Sequence, residues 1–212
     1  MSRRLPVYLL LDTSGSMKGE PIESVKTGLR ALIDTLRQDP QALESVYISI
    51  ITFDRDVKIV TPLTALIDLQ MPELETPDSG PTHTGAALED LCKRVDSEVR
   101  KGGDDVKGDW KPILFLMTDG SPSDKLVYKN VLPEVKRRDF ALIIACAAGA
   151  RAKTEDLLKL TDQVYTLETM DGSSFESLFL WVSSSIEANS TSVGVSTEAM
   201  IPPPPPEVIS VL

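Results

Sequence analysis

Cysteine and histidine are almost missing from this 212-residue chain, which has Cys92, Cys146 and His83 and no others. Two cysteines inside separate apolar segments, without ligand-spaced partners, supply neither a disulfide framework nor a sulfur-ligated metal cage. They read as buried thiols in a reducing, cytoplasmic setting. With one histidine, any Ser-His-Asp triad would have to use His83. Long hydrophobic runs are absent too: nothing approaches the roughly 18 apolar residues of a membrane span. The N-terminal run Val7–Leu11 is too short for a signal peptide and ends at Asp12 with no small-residue cleavage site. Positive charge is scarce, 22 Lys and Arg against 32 Asp and Glu, a net charge of −10. The compact basic clusters, Arg3-Arg4 and Lys136-Arg137-Arg138, are too short for a nucleic-acid track and read as solvated surface. Neither nucleic acid nor a membrane is an expected partner.

What is present has ordinary globular proportions, 42% hydrophobic and 25% charged residues. Short, nearly continuous apolar runs recur at Val7–Leu11, Val46–Phe53, Ile113–Met117, Phe140–Ala145 and Val164–Leu167. Runs apolar at consecutive positions suit strands buried on both faces of a mostly parallel sheet. Between them lie helical periods: Ile22, Val25, Leu29, Leu32, Ile33 and Leu36 behind Pro21; Leu88, Leu91, Cys92, Val95 and Val99; Tyr128, Val131, Leu132 and Val135; Phe175, Leu178, Phe179, Val182 and Ile186. One hairpin breaks the alternation, Val46–Phe53 turning through Asp54-Arg55-Asp56 into Val57–Val60 before Pro62, which fits an antiparallel edge strand. The expected fold class is a three-layer, Rossmann-like α/β sandwich, mostly parallel with one antiparallel edge strand. The domain is expected over residues 1–188. Residues 189–212 read as a Ser/Thr-rich tail carrying the polyproline run Pro202–Pro206.

Chemistry gathers at the carboxyl ends of the strands, where open α/β sheets bind ligands. The first strand ends in Asp12-Thr13-Ser14-Gly15-Ser16, so one carboxylate and two hydroxyls leave the sheet together. Gly80-Pro81-Thr82-His83-Thr84-Gly85 leads into a helix, and Thr118-Asp119-Gly120 follows a strand; each brings an oxygen donor to the same rim. An all-oxygen set of two carboxylates and three hydroxyls suits a hard divalent cation that keeps water and an open position. Thr84 reads as the N-cap of its helix, His83 as a solvent-facing rim residue, and Asp54, Asp56 and Asp124 as solvated loop acids.

The D-x-S-x-S of residues 12–16, the G-x-T-x-T-G of residues 80–85 and the strand-T-D-G at residues 113–120 resemble the metal-ion-dependent adhesion site of von Willebrand factor A domains, over about residues 5–188. The resemblance implies metal ligation by Asp12, Ser14, Ser16, Thr82 and Asp119, with Mg²⁺ as the expected ion and Mn²⁺ or Ca²⁺ as alternatives. It also implies a non-catalytic module whose protein partner gives an Asp or Glu carboxylate to the metal. The DTSGSMxGxPI opening looks like the bacterial tellurium-resistance TerY family, which implies a cytoplasmic stress-response setting with a kinase and a phosphatase. The alternative reading is a metal-dependent phosphohydrolase using Asp12, since phosphotransferases on similar sheets begin with an Asp after the first strand. Their usual second acid two residues on is here Ser14.

Overall fold

A computed structural model describes residues 3–103, 107–149, 152–191 and 200–211. In chain order it contains β1 (Leu5–Asp12), a single 3₁₀ turn (Gly15–Met17), α1 (Glu20–Leu36), α2 (Pro40–Ser45), β2 (Val46–Phe53), β3 (Val57–Ala65), α3 (Thr84–Glu98), β4 (Ile113–Thr118), α4 (Lys125–Lys136), β5 (Leu142–Ala148), α5 (Leu157–Leu160), β6 (Val164–Leu167), α6 (Gly172–Thr191) and β7 (Val208–Ser210). The strands form one sheet in the order β3-β2-β1-β4-β5-β6-β7. Pairings from β2 through β1, β4 and β5 to β6 are parallel, while β3 and β7 run antiparallel at the two edges. The expected sandwich is therefore what forms, with a second antiparallel edge strand besides the hairpin strand.

Every residue of β1 is buried, and its side chains alternate between two cores. Leu5, Val7, Leu9 and Leu11 pack with α1 and α6 on one face, and Tyr8 and Leu10 pack with α3 and α4 on the other. A strand walled on both faces has no polar alternation to show, which is why it reads as a solid apolar run. Such a sheet gives its helices little freedom and leaves only the strand ends for chemistry.

Two segments depart from the sequence reading. Strand β3 continues through Pro62 to Ala65, with register shifts opposite Ile48, Ile50 and Ile51. Proline has no N–H for a ladder, but an edge strand beside an irregular register accommodates it. In the expected tail, Asn189–Thr191 belong to α6, residues 192–199 lie outside the described residues, and Met200–Val211 returns to the sheet. There Trp181 Nε1 donates to Pro202 O at 2.9 Å, Asn189 Nδ2 donates to Met200 O at 2.8 Å, and Val208–Ser210 pairs with Tyr165–Leu167.

The basic clusters are also more engaged than solvated surface. Arg3 donates to Gly108 O and Asp109 O and lies over Trp110, while Arg4 bonds the Asp109 carboxylate and Glu98 O. Together they pin the polar excursion after α3 to the start of β1. Arg138 likewise joins α4 to α3 through Asp96 and Cys92 O.

Candidate functional site

From β1 the chain extends the sheet one way through β2 and β3, then crosses back to β4 on the other side. The crevice above β1 and β4 is thus the topological switch point. Leu11 pairs with Met117, so the next step along both strands brings Asp12 beside Thr118. Thr118 Oγ1 donates to Asp12 Oδ2 at 2.6 Å, and the Ser14 N–H donates to Asp12 Oδ1 at 2.8 Å, closing an Asx turn. That turn reverses the chain into the 3₁₀ turn and lines up the hydroxyls. Ser14 Oγ and Ser16 Oγ are 3.2 Å apart, and Ser16 Oγ donates to Asp119 Oδ1 at 3.0 Å.

Thr82 reaches the same place by another route. Its N–H donates to Ser123 Oγ at 3.1 Å, and its carbonyl accepts from the Ser123 N–H at 2.8 Å, clasping it to the loop that follows Asp119. A Cβ on Gly120 would lie 3.4 Å from Thr82 Oγ1. The loop before Thr82 rests on the first strand's turn: a Cβ on Gly15 would fall 2.6 Å from Ser79 Cα, so only glycine admits this approach. Asp12, Ser14, Ser16 and Asp119 are therefore joined by hydrogen bonds into one cluster, with Thr82 at its border. Asp12 and Ser14 are buried whereas Ser16 is exposed, so the cluster opens to solvent on one side.

Its electrostatics are unbalanced. Asp12 is fully buried, yet neither it nor Asp119 has an ion-pair partner among the described residues. Burial pushes the Asp12 carboxyl up to about 6 against the pull of the Thr118 and Ser14 donors, and the charge of Asp119 adds to the rise. Burial raises Asp119 as well. A buried carboxylate without a cation is costly, so this arrangement asks for positive charge from outside the chain. All its donors are oxygen, as a hard cation prefers. Among the described residues no group of three or more His, Cys, Asp and Glu gathers, so a cation bound here relies on hydroxyls besides the two carboxylates. The residues present fit a divalent ion of the magnesium type.

Several neighbours differ from expectation. Thr84 opens α3 without capping it, and its buried hydroxyl has no hydrogen-bond partner. The capping carboxylate is Asp124, which accepts from Gly85 N at 3.1 Å and Ala86 N at 2.8 Å across the gap between α4 and α3. Asp54 is buried rather than solvated: it accepts from Asp56 N at 3.0 Å, and its carbonyl accepts from His83 N at 2.9 Å. His83 is half-buried, with Nδ1 2.8 Å from Arg55 O, rather than facing solvent freely. The roles of Thr118, Ser123 and Asp124 were not read from the sequence. The signal available was adjacency, since Thr118 is the first residue of the T-D-G segment and Ser123 and Asp124 follow it closely.

The profile of the von Willebrand factor type A domain matches residues 7–179, and the chain belongs to that family. Its members are generally adhesion and interaction modules rather than enzymes. An uncharacterized protein of Synechocystis sp. is 35% identical over 125 residues, 56% of this chain and 26% of that protein. Among solved structures, a von Willebrand factor type A protein from Catenulispora acidiphila aligns with TM-score 0.68 at 16% identity, covering 89% of this chain and 44% of that one. Proximal thread matrix protein 1 of the mussel byssus, with a zinc-occupied adhesion motif, aligns with TM-score 0.61 at 17% identity over 85% of this chain and 47% of that one. These likenesses show the fold. The chain spans about a quarter of the curated relative and less than half of either solved chain. No helix among the described residues is long and apolar enough to cross a membrane.

Proposed function

We propose that the chain is a metal-dependent protein-interaction module in which Asp12, Ser14, Ser16, Thr82 and Asp119 hold one divalent cation, Mg²⁺ in the cell. The observation that carries this reading is the buried Asp12, without an ion-pair partner among the described residues, joined through Ser14 and Ser16 to Asp119. Bound there, the ion would supply a Lewis-acidic coordination position facing solvent. The protein's own groups set its character: Thr118 and the Ser14 N–H fix the Asp12 carboxylate, Ser16 steadies Asp119, and the Ser123 clasp fixes Thr82. Two carboxylates leave a divalent ion only just neutralised, which favours a carboxylate from a partner's Asp or Glu as the further ligand. A phosphohydrolase reading has less support, because Asp12 is engaged by two donors and the second acid of such sites is here Ser14.

The TerY-like opening segment supports, within the same proposal, a cytoplasmic bacterial stress-response complex that includes a kinase and a phosphatase. Affinity capture from tellurite-treated cells with Mg²⁺, with chelator, and with Asp119→Ala as bait tests both levels. A partner retained only by the first arm is the expected result. Retention in all three arms would remove the metal from recognition. Absence of kinase and phosphatase from the captured set would remove the stress-response setting alone.

A further inference from the structure

Two cavities flank the candidate metal site, and they differ in charge. One, of about 300 Å³, opens between the β2–β3 turn and the loop before Thr82, and its walls mix Asp54, Asp56 and Glu75 with Arg55 and Lys58, so its charges nearly cancel. The other, of about 390 Å³, lies between α4 and α5 on the far side of the Asp119 loop. Its floor is Tyr128 and Leu132, and its walls carry Lys125, Lys129 and Lys159 with Asp156. Lys125, Tyr128, Lys129 and Leu132 stand at helical spacing on one face of α4, so that face presents charge and apolar surface together.

This cavity concentrates positive charge in a chain of net charge −10, with three lysines against one acid in its lining. Lys159 pairs with Asp156 at 2.7 Å, but among the described residues Lys125 and Lys129 have no ion-pair partner. Asp124, the neighbouring acid, gives its carboxylate to α3. Pro122, in the loop that follows Asp119, lines the cavity, so the loop that carries Asp119 also borders the lysine pocket.

Resting on the metal-dependent reading above, we propose that this lysine-walled cavity is a second anchor for the same partner, a segment that carries further acidic side chains and an apolar residue beyond its metal-bound carboxylate. Complementary charge would set the direction of docking: an acidic segment is drawn across α4, where three lysines face one acid, rather than toward the cavity of nearly balanced charge. The aliphatic stems of Lys125 and Lys129, with Tyr128 and Leu132, supply the apolar contact.

A suitable probe is a fluorescein-labelled 12-residue peptide of repeating Glu-Gly-Leu, measured by anisotropy in Mg²⁺ against the intact chain, with the Gln-Gly-Leu peptide as control. Lys125→Glu/Lys129→Glu is the main variant and Lys125→Gln/Lys129→Gln the milder one; acidic residues in the first turns of α4 favour that helix, so folding is retained. The expected result is at least tenfold weaker binding of the Glu peptide to the charge-reversed chain, an intermediate loss for the Gln variant, unchanged Mg²⁺ affinity and little binding of the control peptide. Equal binding to wild type and charge-reversed chains, or no binding of the Glu peptide to wild type, would overturn the second anchor and leave the cation site standing. Loss with the lysine variants but none with Asp119→Ala or chelator would instead overturn the shared docking and the metal reading beneath it.

Discussion

Asp12 is the residue on which the site turns, because it is a fully buried carboxylate held by two donors at the strand-end crevice, with no ion-pair partner among the described residues. Its raised pKa has a definite sign in folding. A carboxyl at about 6 in the folded chain, against about 3.9 unfolded, contributes fully to stability below the unfolded value and loses that contribution as pH rises through 6. In chelator, the wild-type chain should therefore lose stability between about pH 4 and pH 7. Asp12→Asn should escape that loss, since Thr118 Oγ1 can accept from the new amide while donating to Gly120 O. Urea unfolding at pH 8 should find the metal-free variant at least as stable as wild type, by on the order of 1–3 kcal/mol; a variant less stable than wild type would contradict this. Thr118→Val should act oppositely, leaving one Asp12 oxygen without its donor at nearly constant volume. The expected cost is about 1–3 kcal/mol in the same assay, with weaker Mg²⁺ binding.

At the scale of elements, the site depends on where α3 begins. Asp124 supplies acceptors to two of its first N–H groups, and Ser123 clasps Thr82 just ahead of it. Asp124→Ala should cost about 1–2 kcal/mol by thermal unfolding and lower Mg²⁺ affinity, because Thr82 is fixed next to the released helix end. Unchanged values in both would mean that the cap is idle. Gly85 tightens the same junction: a Cβ there would meet Tyr128 N at 2.4 Å, so Gly85→Ala should push α3 from α4 at a cost of about 1–3 kcal/mol. The long elements were legible in the sequence, since two-sided burial writes solid apolar runs, and so was the meeting of Asp12, Ser14, Ser16 and Asp119 at the strand ends. Asp124 was not. A carboxylate serving a helix 38 residues away in sequence looks like any loop acid until the two helices are packed.

The whole molecule closes its sheet with a strand that composition concealed. Three residues of β7, reached through five prolines, carry no readable periodicity, yet Val208 is buried and Trp181 bonds Pro202 O. Ending the chain at residue 199 should uncover the indole and the β6 edge. Trp fluorescence should shift to the red, and stability should fall by about 2–4 kcal/mol, from Val208 burial and the lost hydrogen bonds; an unchanged spectrum and melting point would place this segment outside the folding unit. The α1–α6 and α3–α4 layers frame one open crevice, and the account stands or falls on what that crevice holds. The most direct measurement is paramagnetic broadening of backbone amide signals by substoichiometric Mn²⁺. Selective loss of the signals of residues 12–16, 82–85 and 118–121, reversed by excess Mg²⁺ and absent in Asp12→Asn, is the predicted result. Broadening centred elsewhere, or spread over the acidic surface without reversal by Mg²⁺, would contradict it.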